Sequence, residues 1–238
     1  AVWLQKRGEL GLPASELTLP QILKRSGYDT ACFGKWHLGY LEKFWPNRHG
    51  FDEYFGILGG GADYFTHEEF NEGAGQSYLY HNSEKVKGQG YLTDLFAEAA
   101  IGWLKRRGRK PFFLYLPFSA PHAPIQDPDG FDARKGAAPV RPGDRLTFGK
   151  MVERRGRRVG DILAQLHAMD AADHTIVIFL SDNGADANGS NAPLRGNKSS
   201  LWEGGIRVSC LMRWPGVLPA GRTLSQVSVA MDLLPTIL

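Results

Sequence analysis

TIVIFLSDNGAD, from Thr175 to Asp186, decides how the fold is read. The run Thr175 to Leu180 is rich in β-branched and apolar side chains, too short for an ordinary helix and too continuously apolar for a half-exposed strand. It predicts a strand covered on both faces, as in a parallel sheet flanked by helices. The run ends at Ser181-Asp182-Asn183-Gly184, a turn sequence that places a carboxylate and a side-chain amide at the strand's carboxyl end.

The same alternation recurs outward from this strand. Val152, Val159, Ile162, Leu163, Leu166 and Met169 recur at helical spacing just upstream. Phe112 to Leu116 is a second continuous apolar run. Before it, Thr93 to Arg107 places Phe96, Ala100, Trp103 and Leu104 on one helical face, with Gly108 as a left-handed stop. Thr18 and Gln21 form a capping-box pattern that opens an earlier helix, Gly27 ends it, and Thr30-Ala31-Cys32-Phe33 follows as a short buried strand bounded by Gly34. Val208 to Met212 is a weaker fourth strand. Helices alternating with buried strands predict an α/β domain with a mainly parallel central sheet flanked by helices. The stretch from Phe44 to Gly90, with its Gly59-Gly60-Gly61 run, reads as a long irregular insertion of the kind that lines a site. Its Trp45, Tyr54, Tyr64 and Phe65 suit packing at least as well as sugar stacking.

The chain has 238 residues, 42% of them hydrophobic, enough for one sizeable domain with a real core. With 28 Lys+Arg against 25 Asp+Glu, the net charge of +3 is far from the dense basic face that nucleic acid requires. Two cysteines are too few for a disulfide scaffold, and no apolar run approaches the roughly 18 residues of a membrane span. The chain opens at Ala1 without a signal-peptide layout and stops inside MDLLPTIL, so it is expected to be cut at both ends.

In open α/β sheets, ligands bind at the carboxyl ends of strands. Gly34-Lys35-Trp36-His37 follows the first strand, Ser119-Ala120-Pro121-His122-Ala123-Pro124 the second, and Ser181-Asp182-Asn183-Gly184 the third. Lys198 lies in the loop Arg195-Gly196-Asn197-Lys198 before the fourth. Each alone is ordinary turn chemistry; together they describe an anionic-ester site. Asp182 and Asn183 offer hard oxygen ligands suited to Ca²⁺, or less well Mg²⁺, rather than zinc. Lys35 and Lys198 can neutralise a tetrahedral oxyanion as compact charges. His37 and His122 can donate hydrogen bonds or move protons.

These residues resemble the formylglycine-dependent sulfatases. GYDTACFGKWHLG (Gly27 to Gly39) is similar to that family's second signature. PFFLYLPFSAPHAPIQDP (Pro111 to Pro128), TIVIFLSDNGAD and LRGNKSSLWEGGIRV (Leu194 to Val208) resemble the blocks that follow in the same order, and Tyr91-Leu92-Thr93-Asp94 and MDLLPT also fit. The resemblance implies the alkaline-phosphatase-like α/β sandwich, with residues 1–238 as the central and C-terminal part of one catalytic domain. It implies sulfate-ester hydrolysis at a Ca²⁺ site, on a sulfated small molecule or glycan. It assigns Lys35 and His37 to the sulfate and the nucleophile's hydroxyls, His122 and Lys198 to the sulfate or leaving-group oxygen, and Asp182 and Asn183 to the metal. It further implies a formylglycine nucleophile, made from a Cys or Ser in C/S-x-P-x-R by a maturating enzyme, and a secreted, periplasmic or lysosomal location.

The departures from the family are specific. Nothing in Ala1 to Thr18 supplies the nucleophile motif or the paired acidic ligands that lie upstream in family members, and these 238 residues are expected to stop short of the subdomain that usually follows DLLPT. The fragment alone is therefore expected to be inactive. Cys32 and Cys210 lack the Pro and Arg of that motif and read as buried thiols of apolar strands. Arg154, Arg155, Arg157 and Arg158, where relatives often carry an acidic residue at the position of Gly156, read as a solvated basic helix face. Ser209 replaces a common proline. Two other readings compete: a phosphonate or phosphodiester hydrolase of the same superfamily, and a non-catalytic anion- or glycan-binding relative.

Overall fold

The computed structural model describes residues 10–69, 79–131 and 144–238. Part of the Ala1 to Thr18 segment, residues 1–9, and part of the Phe44 to Gly90 stretch, residues 70–78, lie outside the described residues, as do 132–143.

A five-stranded sheet forms the centre. Its strands are β1 (Asp29–Lys35), β2 (Glu53–Ile57), β3 (Leu79–His81), β4 (Glu84–Val86) and β5 (Phe112–Tyr115), in the order β4-β3-β2-β1-β5. β1 runs parallel to both β2 and β5, while β3 and β4 are antiparallel additions. β1 is an interior strand, paired on both edges, with Ala31, Cys32 and Phe33 fully buried. Gly34 and Gly56 face each other across the β1–β2 register, and a Cβ on Gly56 would lie 1.8 Å from the Gly34 carbonyl oxygen. Gly34 itself has φ +144° and passes so close to Pro117 that a Cβ would meet its carbonyl at 2.3 Å. Only glycine fits either position.

One face of the sheet is covered by two helices. Alpha-helix α1 (Leu19–Arg25) precedes β1, α2 (Leu92–Arg106) precedes β5, and α3 (Arg145–Ala168) follows it. Phe33 packs with Ala97, Ala100, Trp103 and Leu104 of α2 and with Ile162 and Leu166 of α3. The other face holds Cys32, Trp36, Phe51, Tyr54, Leu58 and Tyr80 in a second apolar cluster. α3 begins seven residues before Val152, because Asp144 caps it by accepting from the Leu146 and Thr147 amides at 3.0 and 3.2 Å.

Four expectations are corrected. The Thr175 to Leu180 run, expected inside the parallel sheet and covered on both faces, instead lies in a separate two-stranded antiparallel pair with none of its strand residues fully buried, because an apolar run fixes a strand but not the partner it finds. The Phe44 to Gly90 stretch is not irregular throughout: it supplies β2, β3 and β4, and its glycines mask the strand because Gly56 is there for close approach rather than for propensity. The Arg-rich face of α3 is not simply solvated. Arg154 and Arg158 pair with Asp94 of α2 at 3.0 and 2.7 Å, and the Arg155 guanidinium donates to the Ala120 carbonyl at 3.2 Å. Cys210 is exposed, since its strand β7 (Cys210–Arg213) pairs only with β6 (Val177–Leu180) among the described residues, and does so antiparallel. The short helix α4 (Glu203–Ile206) lies between β6 and β7 in sequence, and α5 (Leu233–Ile237) follows β7. Tyr54 and Tyr64 are fully buried packing residues, and Phe65 stacks on Phe131 with ring centroids 5.0 Å apart. No helix among the described residues is long and apolar enough to cross a membrane.

Candidate functional site

The site is built at the carboxyl ends of β1, β5 and β6. After β1 the chain is laced to both neighbouring strands: Lys35 N–H donates to Pro117 O at 2.8 Å, Trp36 N–H to Ile57 O at 2.9 Å and His37 N–H to Leu58 O at 3.0 Å. His37 adopts φ 55°, a left-handed conformation that a non-glycine residue holds only when its surroundings fix it. The Lys35 ammonium donates to the Gly60 carbonyl at 3.3 Å. The glycine run of the insertion thus forms one wall of the site.

After β5, His122 N–H closes a turn onto Ser119 O at 2.8 Å. Its Nδ1 lies 2.8 Å from the Ala123 carbonyl, which can only accept, so Nδ1 carries the proton and the neutral ring keeps its lone pair on Nε2. The loop is held from two sides. Tyr64 Oη donates to His122 O at 2.9 Å, Gln126 Oε1 accepts the Tyr64 amide at 2.9 Å, and Arg155 reaches Ala120 O from α3.

After β6, Asp182 and Asn183 sit in a turn sewn to the Lys198 loop. Gly184 N–H donates to Gly205 O at 2.9 Å, Lys198 N–H to Ala185 O at 3.0 Å and Gly204 N–H to Arg195 O at 2.7 Å. A Cβ on Gly184 would lie 1.8 Å from Gly204 O, so this turn and the EGG segment touch backbone to backbone.

These three loops and the Lys198 loop bring Lys35, His37, His122, Lys198 and Asp182 into one electrostatic neighbourhood. Burial holds the Lys35 ammonium below its ordinary value, Asp182 opposing and Lys198 reinforcing that shift. His37 is held below 6.5 first by burial and then by Lys35, His122 and Lys198. His122 is lowered by burial, with Lys35 and Lys198 adding to it and the Ala123 carbonyl and Asp182 opposing. Each imidazole is therefore neutral at pH 7 and set to gain charge when an anion enters. Asn183 follows Asp182 in the same turn, its own carbonyl accepting from the Ser181 hydroxyl at 3.1 Å.

A cluster with this balance of charge suits a tetrahedral anion beside a hard cation. Asp182 and Asn183 match Ca²⁺ in ligand chemistry but fill only part of the roughly six to eight oxygen positions that the ion takes. Among the described residues no group of three or more His, Cys, Asp or Glu is placed to hold a metal. Cys32 is fully buried, and burial pushes its thiol far up, away from nucleophilic character. Gly60, Tyr64 and Arg155 are site-shaping residues that strand-end reading missed. The Gly59-Gly60-Gly61 run was the one signal in the sequence that pointed toward them.

A sulfatase family model matches residues 5–238. The chain belongs to the sulfatase family. This sulfatase chain is 35% identical over 241 residues to N-acetylgalactosamine-6-sulfatase of Homo sapiens, covering 95% of the chain and 45% of that relative. It is 33% identical over 236 residues to arylsulfatase J of Mus musculus, covering 95% of the chain and 39% of the relative. The solved structure of Ps i-CgsB in complex with k-i-k-neocarrahexaose superposes with a TM-score of 0.85 at 34% identity, over 96% of this chain and 54% of that one. The sulfatase chain thus spans about half the length of the curated relatives it matches, and its fold is the alkaline-phosphatase-like α/β architecture of such neighbours.

Proposed function

We propose that these residues are the sulfate-binding and proton-moving part of a sulfuric ester hydrolase acting on a sulfated glycan. The observation that carries the reading is the convergence of Lys35, His37, His122 and Asp182 from three strand ends, with Lys198 from a fourth loop, into one field. Lys35 and Lys198 take the non-bridging sulfate oxygens as point charges. His122, charged through Nε2 once the anion is bound, gives a proton to the departing alcohol oxygen, while its Nδ1–H stays on the Ala123 carbonyl. His37 hydrogen-bonds the attacking hydroxyl. Asp182 and Asn183 would hold Ca²⁺, which supplies charge stabilisation at the sulfate oxygens. The formylglycine implied by the resemblance has no C/S-x-P-x-R position within the 238 residues, and its maturating enzyme would be the partner for the polypeptide that carries one. Relatives named for N-acetylgalactosamine 6-sulfate and a neocarrahexaose complex support a sulfated galactose- or galactosamine-type sugar as the substrate class.

The test is expression of the full reading frame that encodes these residues together with a maturating enzyme, followed by paired assays on sulfated and phosphorylated galactose-type sugars. Sulfate release that depends on Ca²⁺ and is lost in Asp182→Ala is expected. Preferential phosphate release would favour the phosphoryl-transfer cousin, and ligand binding without turnover the non-catalytic one.

A further inference from the structure

The loop that follows β2, from Gly59 to Glu69, has no part in the chemistry above, yet besides the Tyr64 contact to the His122 loop it touches both Lys35 and His37. It closes on itself. Gly59 N–H donates to Glu69 Oε1 at 3.0 Å, Asp63 N–H donates to Glu68 O at 3.0 Å, and Ala62 and Glu69 form an antiparallel bridge. Glu69 is only 6% exposed, and carboxylates are seldom buried without a specific partner. A Cβ on Gly59 would lie 2.1 Å from Glu69 Oε2 and 2.7 Å from Tyr40 Oη, so the carboxylate rests directly on the Gly59 backbone.

The next residue is where the loop meets the site. The Gly60 carbonyl accepts from Lys35 Nζ at 3.3 Å. On its other side the Gly60 Cα faces the His37 ring, where a Cβ would come within 2.7 Å of Nε2 and Cε1. One peptide therefore sets both the ammonium and the imidazole that follow β1.

We propose that Glu69 is a positioning residue of the anion site: by holding the Gly59 amide, its buried carboxylate fixes the Gly60 peptide against which Lys35 and His37 are set. The proposal rests on the reading of Lys35 and His37 as anion-contacting groups. Glu69 acts by holding the Gly59 amide, one residue before the peptide that meets Lys35 and His37. An amide in its place keeps an oxygen acceptor for Gly59, and a methyl does not. Small displacements of positioned groups carry large losses, which gives the loop its leverage.

Calorimetric titration of inorganic sulfate into the 238-residue chain tests this, with Lys35→Ala marking the site and thermal unfolding run in parallel. Glu69→Ala should weaken sulfate by about 10-fold or more, since a buried amide loses its acceptor and the loop shifts, while Glu69→Gln should stay within about 3-fold of the parent. Gly60→Ala should weaken sulfate without touching Glu69. The His37 ring, released from its buried position, should titrate higher in Glu69→Ala by NMR, a change that lost stability alone does not produce. If Glu69→Ala does not fold, Glu69→Asp takes its place with the same expectation. Sulfate affinity equal to the parent in Glu69→Ala or Glu69→Asp, with Lys35→Ala still losing it, overturns the proposal and leaves the anion site standing. Absence of sulfate binding in the parent overturns both readings.

Discussion

Asp94→Asn is the substitution whose cost can be worked most directly from the structure. Asp94 lies on α2 with its side chain 14% exposed, and accepts from Arg154 Nη1 at 3.0 Å and Arg158 Nε at 2.7 Å on α3, whose side chains are 21% and 22% exposed. Charge-assisted hydrogen bonds are worth roughly 1.5–3 kcal/mol each, and breaking a fully buried ion pair costs roughly 3–5 kcal/mol. Two features reduce the total. Arg154 also pairs with Asp129 and Arg158 with Glu98 and Asp161, all more exposed partners, and the amide retains one neutral acceptor. A loss of about 2–3 kcal/mol follows, equivalent to roughly 4–12 °C in Tm for a domain of this size. Glu153→Gln is the matched control, because its pair with Arg157 is exposed on both sides and solvent-exposed pairs contribute little. Urea unfolding at low and high salt should show a large, weakly salt-dependent loss for Asp94→Asn and almost none for the control. Equal, salt-screened losses in both variants would refute the claim that this Arg cluster clamps α2 to α3.

Other consequences are simpler to state. His37, His49, His67 and His122 are all held below the ordinary 6.5 by burial, so the unfolded chain binds more protons than the folded one just below that value. Stability should be full above about pH 6.5 and fall as pH drops toward the depressed folded values, which urea midpoints at pH 5.5 and 7.5 would show. His49→Phe should lessen that fall, because His49 is fully buried, stacks on Trp36 and, among the described residues, has no hydrogen-bond partner at either ring nitrogen. Gly56→Ala should leave little soluble protein, since its methyl would strike the Gly34 carbonyl at the centre of the sheet, an error above about 3 kcal/mol. A thiol reagent should label Cys210 quickly in the native chain and Cys32 only after denaturation, and equal labelling rates would contradict the buried centre of β1.

The parts of this protein legible in its sequence are those set by local periodicity and turns. β1, β5, β6, α1, α2 and the core-facing residues of α3 follow from apolar runs and helical spacing, and the strand-end rule gathers Lys35, His37, His122 and Asp182 before any coordinates exist. β2 escapes that reading because Gly56 weakens its apolar pattern, and the need for glycine there comes from a strand that is paired only in the fold. The arginines of α3 look solvated because Asp94 and Ala120 lie far from them in sequence. Tyr64, Arg155 and Glu69 are invisible for the same reason: each holds the site through a backbone atom, and a backbone atom leaves no residue-type signal.

NMR titration of the His37 and His122 imidazoles with inorganic sulfate tests most directly whether these loops make one anion site. Both rings should move with a single shared midpoint and both should titrate higher with sulfate bound, because an entering anion favours the charged imidazole. Lys35→Ala and Lys198→Ala should each weaken that shared midpoint. Two different midpoints, or movement of one ring alone, would contradict the account.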